Sequence, residues 1–329
     1  MAYTKPWKSY EAQLDTLIER GMAATDRVAA LDYLERIGYY RLSGYWFPFR
    51  ERSGKCCLLS ADGHKPNKKE YLLTLDQFKT GVTFQHAVEL YVFDKRLRLL
   101  ALDALERIEI AIRVDISHTL GRLDQFAYMR PELFHEAFSE KIDPSTGVSK
   151  HHTWLAKHGQ LIARSKEDFA RHNKERYGLP LAIWVACEIW DFGTMSTLFN
   201  GMRETEQDVI AKEYGVSNGR VFATWLRSLN YLRNVCAHHS RLWNRNIIDQ
   251  PRLPPASEIP WVSPFVSNAH AQARCFLLLR IARHVLQVIN PGSSWPIRMK
   301  EHLRGFPDLG TTGVTLEGMG ALPGWDSLW

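Results

Sequence analysis

The longest helical pattern in the chain reads TFQHAVELYVFDKRLRLLALDALERIEIAIRVDISHTL and covers residues 83–120. Its apolar side chains recur at intervals of three or four positions, which places them on one face of an α-helix. They include Tyr91, Leu97, Leu100, Leu105, Ile108 and Ile112. Glu109 and Arg113 are spaced for an ion pair between successive helical turns. This segment is therefore predicted to be a helix of the protein core.

Shorter helical patterns occupy most of the remaining sequence on both sides of this segment. Helices are predicted at residues 9–37, 154–176, 182–202, 204–214, 217–243 and 268–288. The first of these ranges is predicted to be two helices separated at Gly21. Few stretches alternate between apolar and polar residues as half-buried strands do. The fold class is therefore predicted to be all-α, a helical bundle.

The other segments carry turn and loop signals. The aromatic run from Ile37 to Phe49 is predicted to be a packed corner, and the polar residues 51–71 and 139–150 to be surface loops. The Gly/Pro-rich tail at 291–329 is predicted to be irregular and to lie over the surface. We divide the chain into an N-terminal helical pair with its corner at 1–50, a helical domain at 51–290 that forms one compound domain with it, and the tail.

The composition is that of a folded globular protein with a basic balance. The chain has 329 residues, 45% hydrophobic and 24% charged, and a formal net charge of +6, which favours a polyanionic partner. Five scattered cysteines and the lack of an apolar leader or an apolar membrane span predict a cytoplasmic protein with free thiols and no membrane association. No metal-ligand spacing accompanies Cys56, Cys57, His64 and His86, so we predict no metal and no cofactor.

The segment 225–245 carries the candidate chemistry when it is drawn as a continuous helix. Leu229, Leu232, Cys236 and Trp243 then lie within about 40° of Trp225 and form a buried apolar stripe. Opposite this stripe the wheel gathers Arg227, Asn234, His238, Arg241 and Arg245. Arg233 lies on the flank, about 140° from His238. A site that uses both side chains therefore requires a distorted helix or, as we prefer, two copies of the helix facing each other in a dimer.

These residue types suit the cleavage of RNA. A neutral imidazole can take the proton of a ribose 2′-hydroxyl, and a protonated imidazole can deliver one to the leaving 5′-oxygen. A guanidinium matches the charge that develops on the phosphate oxygens, and Asn234 can orient a group without adding charge. The predicted catalytic residues are Arg233, Asn234 and His238. We prefer His238 to His239 because the wheel places His239 at the edge of the apolar stripe.

The string Arg233-Asn234-Val235-Cys236-Ala237-His238 resembles the R-x4-6-H signature of HEPN ribonucleases. The longer string from Leu229 to Arg245 is similar to the hallmark of the Abi-like abortive-infection family, of the AbiD and AbiF type. Similar patterns occur at Lys5–Leu14, at Ile37–Phe49 and from Leu90 to Arg113, so that the resemblance covers most of residues 5–290.

The resemblance implies an α-helical HEPN fold, a metal-independent endoribonuclease and a toxin-like effector of phage defence. RNA would be cleaved to 2′,3′-cyclic phosphate and 5′-hydroxyl ends, by a homodimer that is restrained by an antitoxin protein or a non-coding RNA. In HEPN folds a helix like 83–120 packs near the catalytic one, so Glu106, Glu109 and Arg113 would support Arg233, with His239 as a further support. An ion-pair ladder within one helix explains the first three equally well. RNA binding is expected at Arg227, Arg241, Asn244 and Arg245.

Two other functions remain open on sequence grounds. The same Arg and His side chains suit a non-catalytic RNA-binding or assembly module that only grips phosphates. A nucleotide-sensing protein is a third alternative, although the chain lacks a Gly-rich phosphate loop.

Overall fold

A computed structural model describes Ala2, Thr4–Leu59 and Pro66–Trp329, with only the backbone given for 57–59, 66–69 and Thr311. This part of the chain is mainly α-helical and contains one two-stranded antiparallel sheet. The all-α prediction is confirmed. Within the described ranges, no helix combines the length and the apolar character that crossing a membrane requires. The chain divides into two compact units, one built from residues up to Arg96 with His302–Gly318 and the other from Leu97–Glu301 with Met319–Trp329.

The first unit begins with the predicted helical pair. Helix α1 spans Tyr10–Glu19 and helix α2 spans Arg27–Ile37. Each starts where a side-chain oxygen accepts a hydrogen bond from a backbone N–H of the first turn, Ser9 Oγ for α1 at 3.3 Å and Asp26 Oδ1 for α2 at 2.9 Å. Gly21 separates them with φ of 93°, a backbone conformation that glycine adopts without steric cost. The prediction of two helices broken at Gly21 is confirmed.

The aromatic corner is more regular than the sequence indicated. Helix α3 spans Tyr39–Trp46, and a short 3-10 turn follows it at Phe47–Phe49. Tyr45, Trp46 and Phe49 are fully buried, so the expected packing is present. The Tyr45 hydroxyl donates to Asp94 Oδ2 over 2.7 Å, which gives this buried carboxylate a partner.

The prediction of a surface loop at 51–71 is wrong. Strand β1 (Arg50–Leu59) pairs antiparallel with strand β2 (Pro66–Phe78), with Arg50 opposite Phe78 and Lys55 opposite Leu72. Lys55 and Glu70 form an ion pair of 2.7 Å across the hairpin. Backbone pairing forms this hairpin, and its exposed leucines 72, 73 and 75 do not alternate with polar positions, so the periodicity of a half-buried strand is missing. His64, named above in connection with metal binding, lies outside the described residues.

Helix α4 spans Phe84–Gly121 and confirms the prediction for residues 83–120 almost residue for residue. The second unit begins within it, at Leu97. The helices that follow are α5 (Glu136–Ser139), α6 (Lys150–Arg164), α7 (Asp168–Tyr177), α8 (Ile183–Ala186), α9 (Phe192–Gly201), α10 (Glu204–Glu213), α11 (Gly219–Ala237), α12 (Ser263–Val266), α13 (Ala269–Gln272), α14 (Cys275–Ile289), α15 (Trp295–Arg304) and α16 (Trp325–Leu328).

Several of these helices are shorter than predicted. The basic helix at 154–176 is two helices, α6 and α7, because the chain is extended at Ser165 and Glu167 between them. The helix at 182–202 is interrupted before Gly193, where Asp191 caps α9 by accepting a hydrogen bond from the Thr194 N–H at 2.7 Å. The helix at 268–288 is divided into α13 and α14. The loop at 139–150 is confirmed.

The tail is not wholly irregular, which corrects the prediction for 291–329. Helix α15 lies within it, and its side chains Trp295 and Met299 are fully buried. The Trp295 indole N–H donates to the carbonyl oxygen of Leu100 over 2.6 Å. The Gly and Pro residues concealed this helix because they flank it on both sides and occupy only one position within it, Pro296 in its first turn, where proline is tolerated.

His158 of α6 predicts how the stability of the second unit depends on pH. The imidazole is 3% exposed, and burial lowers its pKa from 6.5 to about 4. Its Nδ1 accepts a hydrogen bond from the Trp190 indole N–H at 3.1 Å. Above pH 6.5 the group is neutral in both states and its stabilising contribution is complete. Below that, the unfolded chain takes up a proton that the folded chain excludes, so stability is lost as the pH falls toward 4.

We expect His158→Gln, which retains an acceptor for Trp190, to lose less stability on acidification than the wild type. Between about pH 7 and about pH 4.5 the difference in lost unfolding free energy should be about 2.5 kcal/mol. Urea unfolding at both pH values measures it, with His172→Gln on the exposed side of α7 as the matched control. Equal losses in wild type and His158→Gln would contradict this origin of the acid sensitivity.

Candidate functional site

The Arg233 to His238 segment lies at the end of α11, which stops at Ala237. Three backbone hydrogen bonds form the end of the helix: His238 N–H donates to Asn234 O at 3.0 Å, His239 N–H to Cys236 O at 3.1 Å and Ser240 N–H to Val235 O at 3.0 Å. The last two are the paired bonds of a Schellman motif. His239 occupies its left-handed position with φ of 55° and, among the described residues other than glycine, is the one with positive φ.

This helix end corrects the helical wheel used for residues 225–245. The wheel holds as far as the end of α11, and Trp225, Leu229, Leu232 and Cys236 are buried as predicted. It fails beyond His238, because the left-handed residue reverses the chain, and His239, Arg241 and Arg245 are therefore not on the helix. Trp243 is buried, but from the segment that follows the helix. The sequence has no glycine at the reversal, which is why the helix was extended too far.

The chain that follows the reversal runs back along α11. Hydrogen bonds join the two at intervals of about one turn: Arg245 Nε donates to the Tyr231 hydroxyl at 2.8 Å, Ser228 Oγ to Asp249 O at 2.5 Å, and the Arg252 N–H to Thr224 Oγ1 at 2.9 Å. We call residues 240–252 the return segment. Its hydrogen bonds to α11 hold the C-terminal end of that helix in place.

The residues predicted to bind RNA are distributed between α11 and this return segment. Arg227 is exposed and forms an ion pair with Asp249 at 3.4 Å. Arg245 is half-buried over the Tyr231 ring, with its guanidinium carbon 5.9 Å from the ring centroid. Arg241 and Asn244 are half-buried. Arg227 and Arg245 thus tether the return segment to α11, and their role in binding RNA stays a prediction.

The predicted supporting residues of α4 meet Arg233 around one cavity. Its volume is about 320 Å³. It is lined by Leu102, Glu106, Glu109, Ile110, Arg113 and Arg233. The structure therefore brings all three charged residues predicted on α4 to the same place as the arginine of the Arg-x4-His segment. Their role in orienting Arg233 stays a prediction.

Glu109 is the electrostatic centre of this cavity. It forms an ion pair with Arg113 one turn along α4, and the two side chains are only 12% and 16% exposed. Burial raises the pKa of the Glu109 carboxyl, and the positive charges of Arg113 and Arg233 oppose this rise. Glu109 therefore forms the ion pair within α4 and also lies close enough to Arg233 for the two charges to interact. Removal of Glu109 would leave two guanidinium groups close together without their buried carboxylate.

Asn234 and His238 are not among the residues that line the cavity. Both Arg233 and Asn234 are half-buried, and Arg233 Nη1 donates to Asn234 Oδ1 at 3.3 Å. His238 is exposed and is not among the residues that line the cavity. His239 is exposed as well. Arg233 thus faces the carboxylates of α4, whereas His238 faces outward from the C-terminus of α11.

One charged residue near this site, Asp191, was not predicted. Asp191, which caps α9, lies close enough for its charge to raise the pKa of Glu109, and it accepts a hydrogen bond from Lys157 Nζ at 3.0 Å. Gly193, the second residue of α9, lies beside Asn230 of α11, and a Cβ there would make an ordinary van der Waals contact of 3.5 Å with the Asn230 side-chain oxygen. An Asp directly before an apolar helix is the capping signal that marks Asp191.

These features define an all-α protein with a polar site at a helix C-terminus, in which an Arg-x4-His segment meets a charged face of a long helix. The chain belongs to the Abi-like protein family, whose model matches residues 32–244. Neither a curated protein nor a solved structure matches the chain. The predicted family membership is confirmed, and it indicates a role in abortive infection and phage defence. The HEPN assignment within the family stays a prediction.

The left-handed backbone at His239 predicts the effect of substitution there. His239→Gly should be more stable than His239→Ala by about 1 kcal/mol, because alanine retains the Cβ that is strained at positive φ and glycine does not. Both variants lack the imidazole, so their difference isolates the backbone. Denaturant unfolding measures it. Equal stabilities would mean that the chain does not hold a left-handed residue at position 239.

Proposed function

We propose that the protein is a metal-independent endoribonuclease of the HEPN type that acts in phage defence. The observation that carries the proposal is the helix end itself: His238 is exposed at the C-terminus of α11, and Arg233 in the preceding turn lines one cavity with Glu109 and Arg113. A general acid or base must be accessible to substrate, and a phosphate-binding guanidinium needs a fixed position.

In the proposed reaction the 2′-oxygen of a ribose attacks the adjacent phosphorus and the bond from phosphorus to the 5′-oxygen breaks. The proton of the 2′-hydroxyl passes to the neutral imidazole of His238, and a proton from an imidazolium passes to the departing 5′-oxygen. The products are a 2′,3′-cyclic phosphate and a 5′-hydroxyl. Arg233 stabilises the charge on the non-bridging oxygens. What the reaction asks of the protein is a proton acceptor, a proton donor and a positive charge, and side chains can supply all three without a metal.

A homodimer is part of the proposal. Within one chain Arg233 faces the cavity on α4 and His238 faces outward, so two copies would combine the groups of both into one site. An apolar stripe on the same helix supports this arrangement: Leu99, Ile110 and Val114 are 59%, 49% and 51% exposed, and Ile110 also lines the cavity. Exposed apolar side chains aligned along one helix are typical of association surfaces.

Biologically, the proposed enzyme is a toxin-like effector of abortive infection. The substrate is cellular or phage RNA, and a cognate antitoxin, either a protein or a non-coding RNA, would restrain it. An exposed His238 is accessible to such an inhibitor as well as to substrate.

We expect the purified protein to cleave labelled RNA in the presence of EDTA and to leave the matching DNA intact, because DNA lacks the attacking 2′-hydroxyl. His238→Ala should reduce the rate by at least about 10²-fold and should still bind RNA. Gel assays follow cleavage, and binding is measured on RNA with 2′-O-methyl groups, which cannot react.

His239→Gly is the matched control because it removes the neighbouring imidazole and suits the left-handed backbone. It should cleave RNA at nearly the wild-type rate. Cleavage that survives His238→Ala but is lost in His239→Gly would assign the chemistry to His239. Equal loss of binding and cleavage in His238→Ala would favour the alternative of a non-catalytic RNA-binding module. Intact RNA at high enzyme concentration, or loss of cleavage on chelation, would contradict the proposed enzyme.

The composite site can be tested by mixing two inactive variants. If each site takes Arg233 from one subunit and His238 from the other, a mixed dimer of Arg233→Gln and His238→Ala contains one intact site. After complete subunit exchange, the mixture should show about a quarter of the wild-type activity, because half of the dimers are mixed. Val114→Asp, on the apolar stripe but outside the cavity, should abolish this recovery and yield monomers by analytical ultracentrifugation. No recovery from an exchanged mixture would place each complete site within one chain.

A further inference from the structure

A second charged site lies in the second unit, on α14. Arg280 is 7% exposed, and its guanidinium contacts two aromatic rings: its central carbon lies 5.2 Å from the centroid of the Trp261 ring and 5.6 Å from that of the Trp329 ring. The rings are held in place by their own hydrogen bonds: the Trp261 indole N–H donates to His284 Nδ1 at 3.1 Å and the Trp329 indole N–H to Pro296 O at 2.9 Å. The guanidinium is therefore in contact with two rings whose positions are fixed.

Those donors lack acceptors. Among the residues that the structure describes, neither Nε nor Nη1 of Arg280 has a hydrogen-bond partner, and no carboxylate forms an ion pair with this arginine. Burial and the nearby charge of Arg283 lower the pKa of Arg280 to about 10, so it is protonated at neutral pH. The contacts with two aromatic rings offset only part of the cost of burying a cation.

Arg283 adds a second cation at the same place. Its guanidinium carbon lies 5.7 Å from the centroid of the Trp329 ring, on the ring that Arg280 also contacts. Arg283 is half-buried, and within the described chain its Nε is a buried donor that has no acceptor. Burial lowers its pKa as well. The guanidinium groups of Arg280 and Arg283 thus both contact the Trp329 ring. Arg280 is buried and Arg283 half-buried, and within the described chain each has at least one N–H donor without an acceptor.

We propose that Arg280 and Arg283, with Trp261 and Trp329, form a binding site for a phosphate group. Paired guanidinium groups with planar forks of donors match the several oxygens and the double negative charge of a phosphate better than the single charge of a carboxylate. Binding would supply the missing acceptors and the missing negative charge together. The site contains none of the proposed catalytic residues, and the proposal does not depend on them. The phosphate can be free or carried by a nucleotide.

The first test uses Arg280→Met, since methionine is an uncharged, flexible side chain that can pack against the two tryptophan rings. Thermal unfolding is followed in chloride and in phosphate at equal pH and ionic strength. Inorganic phosphate should raise the Tm of the wild type along a saturable curve, and should not raise that of Arg280→Met. In chloride the variant should be at least as stable as the wild type, because an unpaired buried cation is removed. An equal phosphate effect on both proteins would overturn the proposal.

The second test measures binding directly by calorimetry, with inorganic phosphate, AMP and adenosine as probes. Arg283→Gln alters a half-buried side chain, and it should weaken phosphate binding by about tenfold or more. The control Arg176→Gln removes a surface arginine that lies 5.5 Å from the centroid of the exposed Tyr177 ring, and it should retain the affinity.

Arg280-dependent binding of AMP in preference to inorganic phosphate would support the site and identify a nucleotide as the source of the phosphate. Preference for inorganic phosphate would identify the free ion. Absence of saturable binding of either up to about 10 mM, or binding of adenosine as tight as that of AMP, would overturn the proposal.

Discussion

The hydrogen bond of 3.0 Å from the Ser240 N–H to Val235 O, closed over the left-handed His239, is the constraint on which the site depends. It ends α11 at Ala237 and sends the chain back along the helix, where Tyr231, Ser228 and Thr224 hold it. Without that reversal, the segment after His238 would continue away from the helix, and Trp243 would not return to the core. The position of His238 is therefore fixed from both directions, by the helix before it and by the return segment after it.

A non-glycine residue in a left-handed conformation costs energy that surrounding structure must offset. Here the offset comes from the return segment, whose bonds to α11 form only if the chain reverses at position 239. A glycine would allow the same reversal at lower cost, so His239 carries backbone strain that a glycine would not. Such strain is common at functional sites, and it agrees with the proposed role of this helix end.

The parts of the fold that follow from the sequence are those in which a long pattern repeats without interruption. Helix α4 was predicted to within one residue at each end because its apolar positions recur over ten turns, and the buried face of α11 followed from the same periodicity. The hairpin of β1 and β2 escaped prediction because its exposed leucines carry no alternating pattern. The end of α11 escaped because the usual glycine is replaced by His239. The meeting of Arg233 with Glu109 depends on tertiary packing, which no local pattern encodes, and only the family resemblance implied it.

The charged side chains around the cavity determine the electrostatic environment of the Arg233 guanidinium. The buried part of the cavity holds one carboxylate, Glu109, against two guanidinium groups, while Glu106 is exposed and its charge is screened by solvent. Glu109 pairs mainly with Arg113, since that contact is the ion pair, and acts on Arg233 through its charge. Arg233 is thereby held in position without being neutralised. The proposed chemistry requires that the Arg233 guanidinium keep its positive charge and a fixed position where the phosphate of an RNA chain can reach it.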